Sequence, residues 1–304
     1  MTATIVTDRI ERLNRVSERR VIDPDRDLPG GIGDGQLVPD ELLTIHGTGI
    51  ELDAEQRRTL SREEVAAMFD AGIRFEAVLE AGFALQVARA TDLTDPTITY
   101  LLHEMGEETR HQRLFQRVIG QIGPVAHNPL VDHPVLTRLD RFGTGWVTGH
   151  PALLYVMVLA GEEIPDLLQQ MASEHPDTDP FLAEVNRYHR QEEARHLSFA
   201  RAVLPDMWRR ASRTERAVVH RVAPLAITAM FDTLVHPGVY ETVGLDAWST
   251  WKQVRVTPER LAVRHRATRK VLAALLDAGV VRSGRIPSTW QRLCAVDPHA
   301  VPTA

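Results

Sequence analysis

Four stretches of this chain set carboxylates in the middle of helical seams that are otherwise apolar, and that pattern limits the folds open to it. The last of them, residues 188–199, reads YHRQEEARHLSF, with His189, Glu193 and His196 at i, i+4 and i+7. On a helix those three side chains leave one face. A carboxylate buried as an ion is costly unless a cation or hydrogen-bond donors meet it. One HxxxExxH is explained equally well by a solvated helix surface, so its meaning depends on whether the other seams carry matching groups.

They carry them in order. Residues 61–64, SREE, form a capping-box pattern with Ser61 as N-cap and Glu64 at N3, predicting a helix that runs to about Arg89. Along it Phe69, Ile73, Glu76, Glu80, Phe83 and Val87 fall three or four residues apart, a seam with two acids at its centre. A neighbouring Arg or partial exposure would also account for either acid. Asp95 and Pro96 open a second helix as N-cap and N1, reaching about Ile119. Its seam is Leu101, Glu104, Glu108, His111, Phe115 and Val118. Glu108 and His111 make an ExxH, whose i, i+3 spacing lets a carboxylate and an imidazole meet one ion. Glu104 reads as an extra acid supporting that pair.

The connection GPVAHNPLVDHP carries His127 and His133, read as loop or surface histidines. A strongly apolar run then predicts a buried helix over residues 151–173, interrupted by Glu162 and Glu163. Glu162 continues the row of Tyr155 and Val158, whereas Glu163 turns to another side. Apolar residues surround this helix almost completely, so phase alone leaves both acids open. The fourth helix, residues 180–204, carries Val185, His189, Glu193, His196 and Ala200 on its seam.

Outside these four helices the signals are weaker. Residues 1–55 combine a short charged segment at 10–20 with the turn-rich DPDRDLPGGIGDG, predicting an extended arm with little regular structure, placed to cover a pocket mouth. Residues 212–235, interrupted by Pro224, and 257–279, opened by Thr257 and Pro258, predict two more helices. His220, His236 and His265 on them are read as surface residues. The tail from Arg282 reads as irregular, with a short helix near 288–293. No Gly/Ser/Pro-rich linker divides the middle, so the reading is an arm at 1–55 and one all-α domain at 56–304. Its core helices lie at about 61–204 and its extra helices at about 212–279.

Composition removes whole classes of function. A net charge of −6 gives no electrostatic footprint for nucleic acid. There is no run of about 18 apolar residues and no signal-peptide core at the N-terminus, so the expectation is a cytoplasmic protein with no membrane span. Cys294 is the only cysteine, which excludes disulfide scaffolds and thiolate zinc sites.

Together the acids and histidines form one constellation. A Glu from each of two helices (Glu76, Glu162) and an ExxH from each of the other two (Glu108 with His111, Glu193 with His196) is the ligand set of ferritin-like di-metal carboxylate bundles. The expected fold is therefore an all-α, ferritin-like helical bundle. Carboxylates and imidazoles without thiolate suit iron or manganese, and two iron ions are the expected cofactor, with manganese as the alternative.

With that set in hand, LSREEVAAMFDAGIRFE, HEMGEETRHQRLF, AGEEIPD and YHRQEEARHLSFA resemble the p-aminobenzoate N-oxygenase family of di-iron proteins over about residues 37–201. The resemblance implies a ferritin-like enzyme that uses dioxygen to oxidise an amine nitrogen through hydroxylamine toward nitro. It also implies an additional histidine ligand one turn before the last ExxH, the place held by His189. The FE context and the 32-residue interval to Glu108 favour Glu76 over Glu80, which stays a contender. With no GxGxxG fingerprint, electrons are expected from an external ferredoxin or reductase. The amine substrate is a small molecule, and a homodimer is expected. Other readings are a ferritin-like metal-storage or redox-sensing protein, a structural bundle with a vestigial site, and a di-iron oxygenase acting on carbon.

Overall fold

The computed structural model describes residues 3–297, and every regular element among them is helical. The last seven residues of the expected 56–304 domain lie outside the described residues. α1 (Ala3–Arg19) and the single turn α2 (Pro24–Asp27) precede α3 (Ala54–Ala88) and α4 (Pro96–Ile122). Then follow α5 (Pro134–Gly149), α6 (Pro151–Glu174) and α7 (Pro180–Arg210). The chain ends in α8 (Arg213–Arg221), α9 (Ala223–Thr233), α10 (Gly238–Glu241), α11 (Ala247–Val254), α12 (Pro258–Asp277) and α13 (Ser288–Cys294).

The framework is two helix pairs, α3 with α4 and α6 with α7, joined into a bundle through α3–α6 and α4–α7 contacts. One core cluster runs through it from Leu79 and Phe83 of α3 to Tyr100 and Leu101 of α4, the 153–160 run of α6, and Phe199 and Ala200 of α7. Glu76, Glu104, Glu108, Glu162 and Glu193 of these seams face inward and are buried.

The start of α3 differs from expectation. Its N-cap is Asp53, not Ser61: Asp53 accepts from Gln56 N while the Gln56 side chain accepts from Asp53 N, a complete capping box eight residues earlier. No helix breaker lies between the two, so the earlier box wins. Ser61 instead accepts from the Leu37 amide at 3.0 Å. Its two acids also bind connections: Glu63 accepts from Val125 N and Ala126 N, and Glu64 accepts from Thr44. The residues expected to start a helix therefore tie loops to its side.

Three further expectations are corrected. The N-terminal segment is not an extended arm, because α1 packs on α4 and α7, with Ile10 in the main core and Asn14 Nδ2 donating to Pro96 O at 2.9 Å. α5 stands where only a connection was expected. Gly143, Gly145 and Gly149 lower its intrinsic helix propensity, and none of its residues is fully buried, so the apolar signal is weak. His236 is 7% exposed and not a surface residue. The short α10 and α11 have no counterpart among the expected helices, while α13 lies close to the expected short helix near 288–293.

α8, α9 and α12 cover the outer side of α6, and α13 packs on those three, burying Trp290 and Cys294. No single helix among the described residues is long and apolar enough to cross a membrane; only α8 with Ala223–Glu241, bent by 43°, passes as a pair.

Candidate metal centre

All seven residues singled out in the sequence meet inside the bundle: Glu76 from α3, Glu108 and His111 from α4, Glu162 from α6, and His189, Glu193 and His196 from α7. None is more than 4% exposed. Glu108 and Glu193 lie between two imidazoles. His111 Nδ1 stands 3.1 Å from Glu108 Oε2 and 3.2 Å from Glu193 Oε1. His196 Nδ1 stands 2.9 Å from Glu193 Oε2 and 3.2 Å from Glu108 Oε1. His189 enters from one turn earlier, with Nε2 3.2 Å from Glu76 Oε1 and 3.3 Å from Glu193 Oε1.

The two pairs of candidate acids differ in position. Glu80 turns to the helix rim, where its oxygens accept from Thr109 Oγ1 and Gln112 Nε2, both at 3.0 Å. Glu163 packs between helices and pairs with Arg201 and Lys270. Glu162 faces the cluster, leaning on Glu193.

Each histidine is held from behind. His111 Nε2 donates to Glu192 at 3.0 Å, His196 Nε2 to Glu107 at 2.9 Å, and His189 Nδ1 to Gln169 at 3.0 Å. The first two are crossed: Glu107 of α4 holds the α7 histidine, and Glu192 of α7 holds the α4 histidine. Arg195 Nη2 closes the exchange by donating to Glu107 and Glu192, and Tyr188 Oη donates to Glu192. Such outer carboxylates fix the imidazole tautomer and aim the other nitrogen inward. Glu107, Glu192, Arg195 and Gln169 were not picked out in the sequence. A signal for two of them was present, since both ExxH runs read EExxH.

Electrostatics show what the cluster lacks. Burial, reinforced by Glu108, holds the Glu76 carboxyl well above its ordinary range, and burial with Glu193 does the same to Glu162. Burial pushes Glu104 up to about 8. For His111 and His196 burial opposes charge, yet the surrounding carboxylates outweigh it and raise both. One oxygen on each of Glu76, Glu104 and Glu162 is buried without a hydrogen-bond partner, and Oε1 of Glu108 and of Glu193 meets only imidazole nitrogens at 3.2–3.3 Å. Converging acceptors that have no donor are what a multivalent cation satisfies. Three overlapping sets, Glu76/His111/His189, Glu104/Glu108/His196 and Glu108/His111/Glu193, each gather donor atoms within 4.8 Å of one another. Sharing of Glu108 and His111 between sets fits two adjacent cations better than one, and the carboxylate-imidazole chemistry fits iron or manganese.

Beside the cluster lies a cavity of about 790 Å³ that Glu76, Glu162, Gln169 and His189 line at its inner end. Gly161 makes that end possible, because a Cβ there would stand 1.7 Å from the Phe75 ring. Pro165, also on the wall, offers no N–H to the Gly161 carbonyl one turn back.

Comparison with known proteins agrees with this picture. Two point variants of an R2-like ligand-binding oxidase, both reconstituted with a Mn/Fe cofactor, superpose with TM-scores of 0.50 and 0.51 at 15% identity, covering 88% of this chain and 93% of theirs. That likeness shows the ferritin-like fold. Uncharacterized proteins of Mycobacterium bovis and Mycobacterium tuberculosis are 30% identical over 171 residues, which is 55% of this chain and 48% of each relative. The chain thus spans about half the length of the curated relatives it matches. The model of the family described as p-aminobenzoate N-oxygenase AurF matches residues 4–279, well beyond the 37–201 segment that carries the motifs and including α1 and α8–α12. A match of that extent, over a bundle that gathers the family's expected acids and histidines, places this chain in the p-aminobenzoate N-oxygenase AurF family.

Proposed function

We propose that this protein is a non-haem di-iron N-oxygenase that uses dioxygen and external electrons to oxidise an amine nitrogen, of an arylamine by preference, toward hydroxylamine and nitro. The observation that carries the reading is His189. It adds a third imidazole to the four-carboxylate, two-histidine set and lies on the cavity wall beside Glu76 and Glu162. Glu76, Glu108, His111, Glu162, His189, Glu193 and His196 would hold the two metals, which supply activation of dioxygen when bound.

The chain's own residues do the rest. Gln169, Glu192 and Glu107 fix the imidazoles, so that the metal-facing nitrogens keep their direction through turnover. Apolar walls from Phe75, Ile164 and Leu168 keep water from the inner end, where an amine nitrogen is brought beside Glu76 and Glu162. Each hydroxylation places one oxygen atom on nitrogen, and two electrons with two protons reduce the other to water. Those electrons come from a ferredoxin or reductase that docks transiently. We also propose a homodimer, supported by Val135, Leu139 and Phe142, which project from α5 at 56%, 60% and 66% exposure.

The test is metal analysis after iron-replete expression, followed by a single reductive turnover with aniline under labelled dioxygen. About two irons per chain and singly labelled hydroxylamine are expected. Iron without nitrogen oxidation, on substrates that bind, would favour an oxygenase acting on carbon. Chains that bind no iron or manganese would end the proposal.

A further inference from the structure

The cavity says more about the substrate than the metal ligands do. At about 790 Å³ it falls in the range of pockets that enclose drug-sized molecules. A void of roughly 150 Å³ is enough for one benzene ring, so a bare aminobenzoate would leave most of this space to water. Around the acids and the imidazole the wall is chiefly aliphatic, from Met157, Ile164 and Leu168 of α6, Leu136 and Val147 of α5, and Met230 of α9.

Charge points the same way. The lining holds one guanidinium, Arg74, and no lysine. Arg74 is already bound in a two-toothed pair by Asp70, at 2.8 and 3.1 Å, and Asp140 adds a second negative charge nearby. Burial pushes His236 down to about 4, so it brings no charge at neutral pH. Its Nδ1 is buried on the lining without a hydrogen-bond partner, a neutral polar contact for a ligand. A carboxylate entering this cavity would lose its hydration and find no unpaired cationic side chain on the wall, while Asp70 and Asp140 repel it.

We infer that the amine substrate is not an acid: the cavity takes a non-anionic amine carrying a large apolar body and excludes 4-aminobenzoate itself. This rests on the proposal that the metal cluster is the reaction centre, but it concerns binding and is tested without turnover.

Isothermal titration calorimetry on the metal-loaded and the metal-free protein compares 4-aminobenzoate with its butyl ester, and aniline with 4-octylaniline. Butyl 4-aminobenzoate should bind at least a hundredfold more tightly than the acid, and 4-octylaniline more tightly than aniline by a similar factor, in both forms of the protein. Asp70→Asn frees Arg74 and should improve 4-aminobenzoate binding several-fold while leaving the ester unchanged. Gly143→Leu fills open space on the wall of α5 and favours the helix, so it should fold; it should weaken 4-octylaniline at least tenfold and leave aniline unaffected. Equal or tighter binding of the acid than of the ester overturns the inference, as does indifference of 4-octylaniline to Gly143→Leu. A protein that binds the ester preferentially yet takes up no metal would keep the inference about the cavity and defeat the proposed reaction. One that N-oxidises aniline yet prefers the acid would do the reverse.

Discussion

Glu193 is the residue on which most of the centre converges, since its two oxygens lie within 3.3 Å of nitrogens from His111, His189 and His196. Glu193→Ala should therefore lose metal, whereas His189→Ala should keep the fold and part of the metal but lose nitrogen oxidation, as read by metal analysis and product assay. Full N-oxygenation by His189→Ala would remove the special role given to that imidazole. The residues behind the cluster carry a milder expectation. Glu192→Gln and Glu107→Gln keep shape but weaken the hold on His111 and His196, so metal affinity should drop about 10- to 100-fold in a chelator competition. At this scale the sequence was legible wherever two functional side chains share a helix face, as in Glu108 with His111. It was silent on Gln169, which meets His189 across a helix interface, because pairing between α6 and α7 has no local spacing to betray it. His236 misled for the same reason: its burial is imposed by distant segments.

Among the elements, α3 makes the sharpest contrast between a pattern and its use. Asp53→Ala should cost about 1 kcal/mol through the lost cap. Ser61→Ala, at the position that sequence alone suggests as the cap, leaves the Leu37 amide unmet in a buried place and should cost about 1–3 kcal/mol. Urea denaturation of the two variants compares them directly, and a Ser61→Ala effect no larger than that of a surface substitution would contradict this account of the segment. Helix existence was readable for α3, α4, α6 and α7 because long apolar seams give a periodic signal. α5 was not, because its glycines and its half-exposed surface mask the period. α1 reads as part of an extended arm because its charged surface hides the face, through Ile10, that enters the core.

For the molecule as a whole, pH should act on stability through Glu64 as well as through the centre. Burial pushes the Glu64 carboxyl up to about 7, although Thr44 donates to it. The folded chain then keeps a proton that the unfolded chain releases near 4.5. The associated stability is present in full below that value and is lost as pH rises to about 7. Glu64→Gln removes the dependence, so its melting temperature relative to the native chain should climb across that window and level off above it. A difference that stays flat with pH would show that Glu64 ionises in the fold at its ordinary value.

At this same scale, the buried acceptors without donors mean that metal should bind the folded state alone and stabilise it. The most direct measurement is an iron-edge anomalous difference map from a crystal of the iron-loaded protein. Two adjacent peaks are expected, within bonding reach of Glu76, Glu108, His111, Glu162, His189, Glu193 and His196. No peak in the bundle, or a lone peak that leaves His189 uncoordinated, would contradict the dinuclear centre on which the proposed function stands.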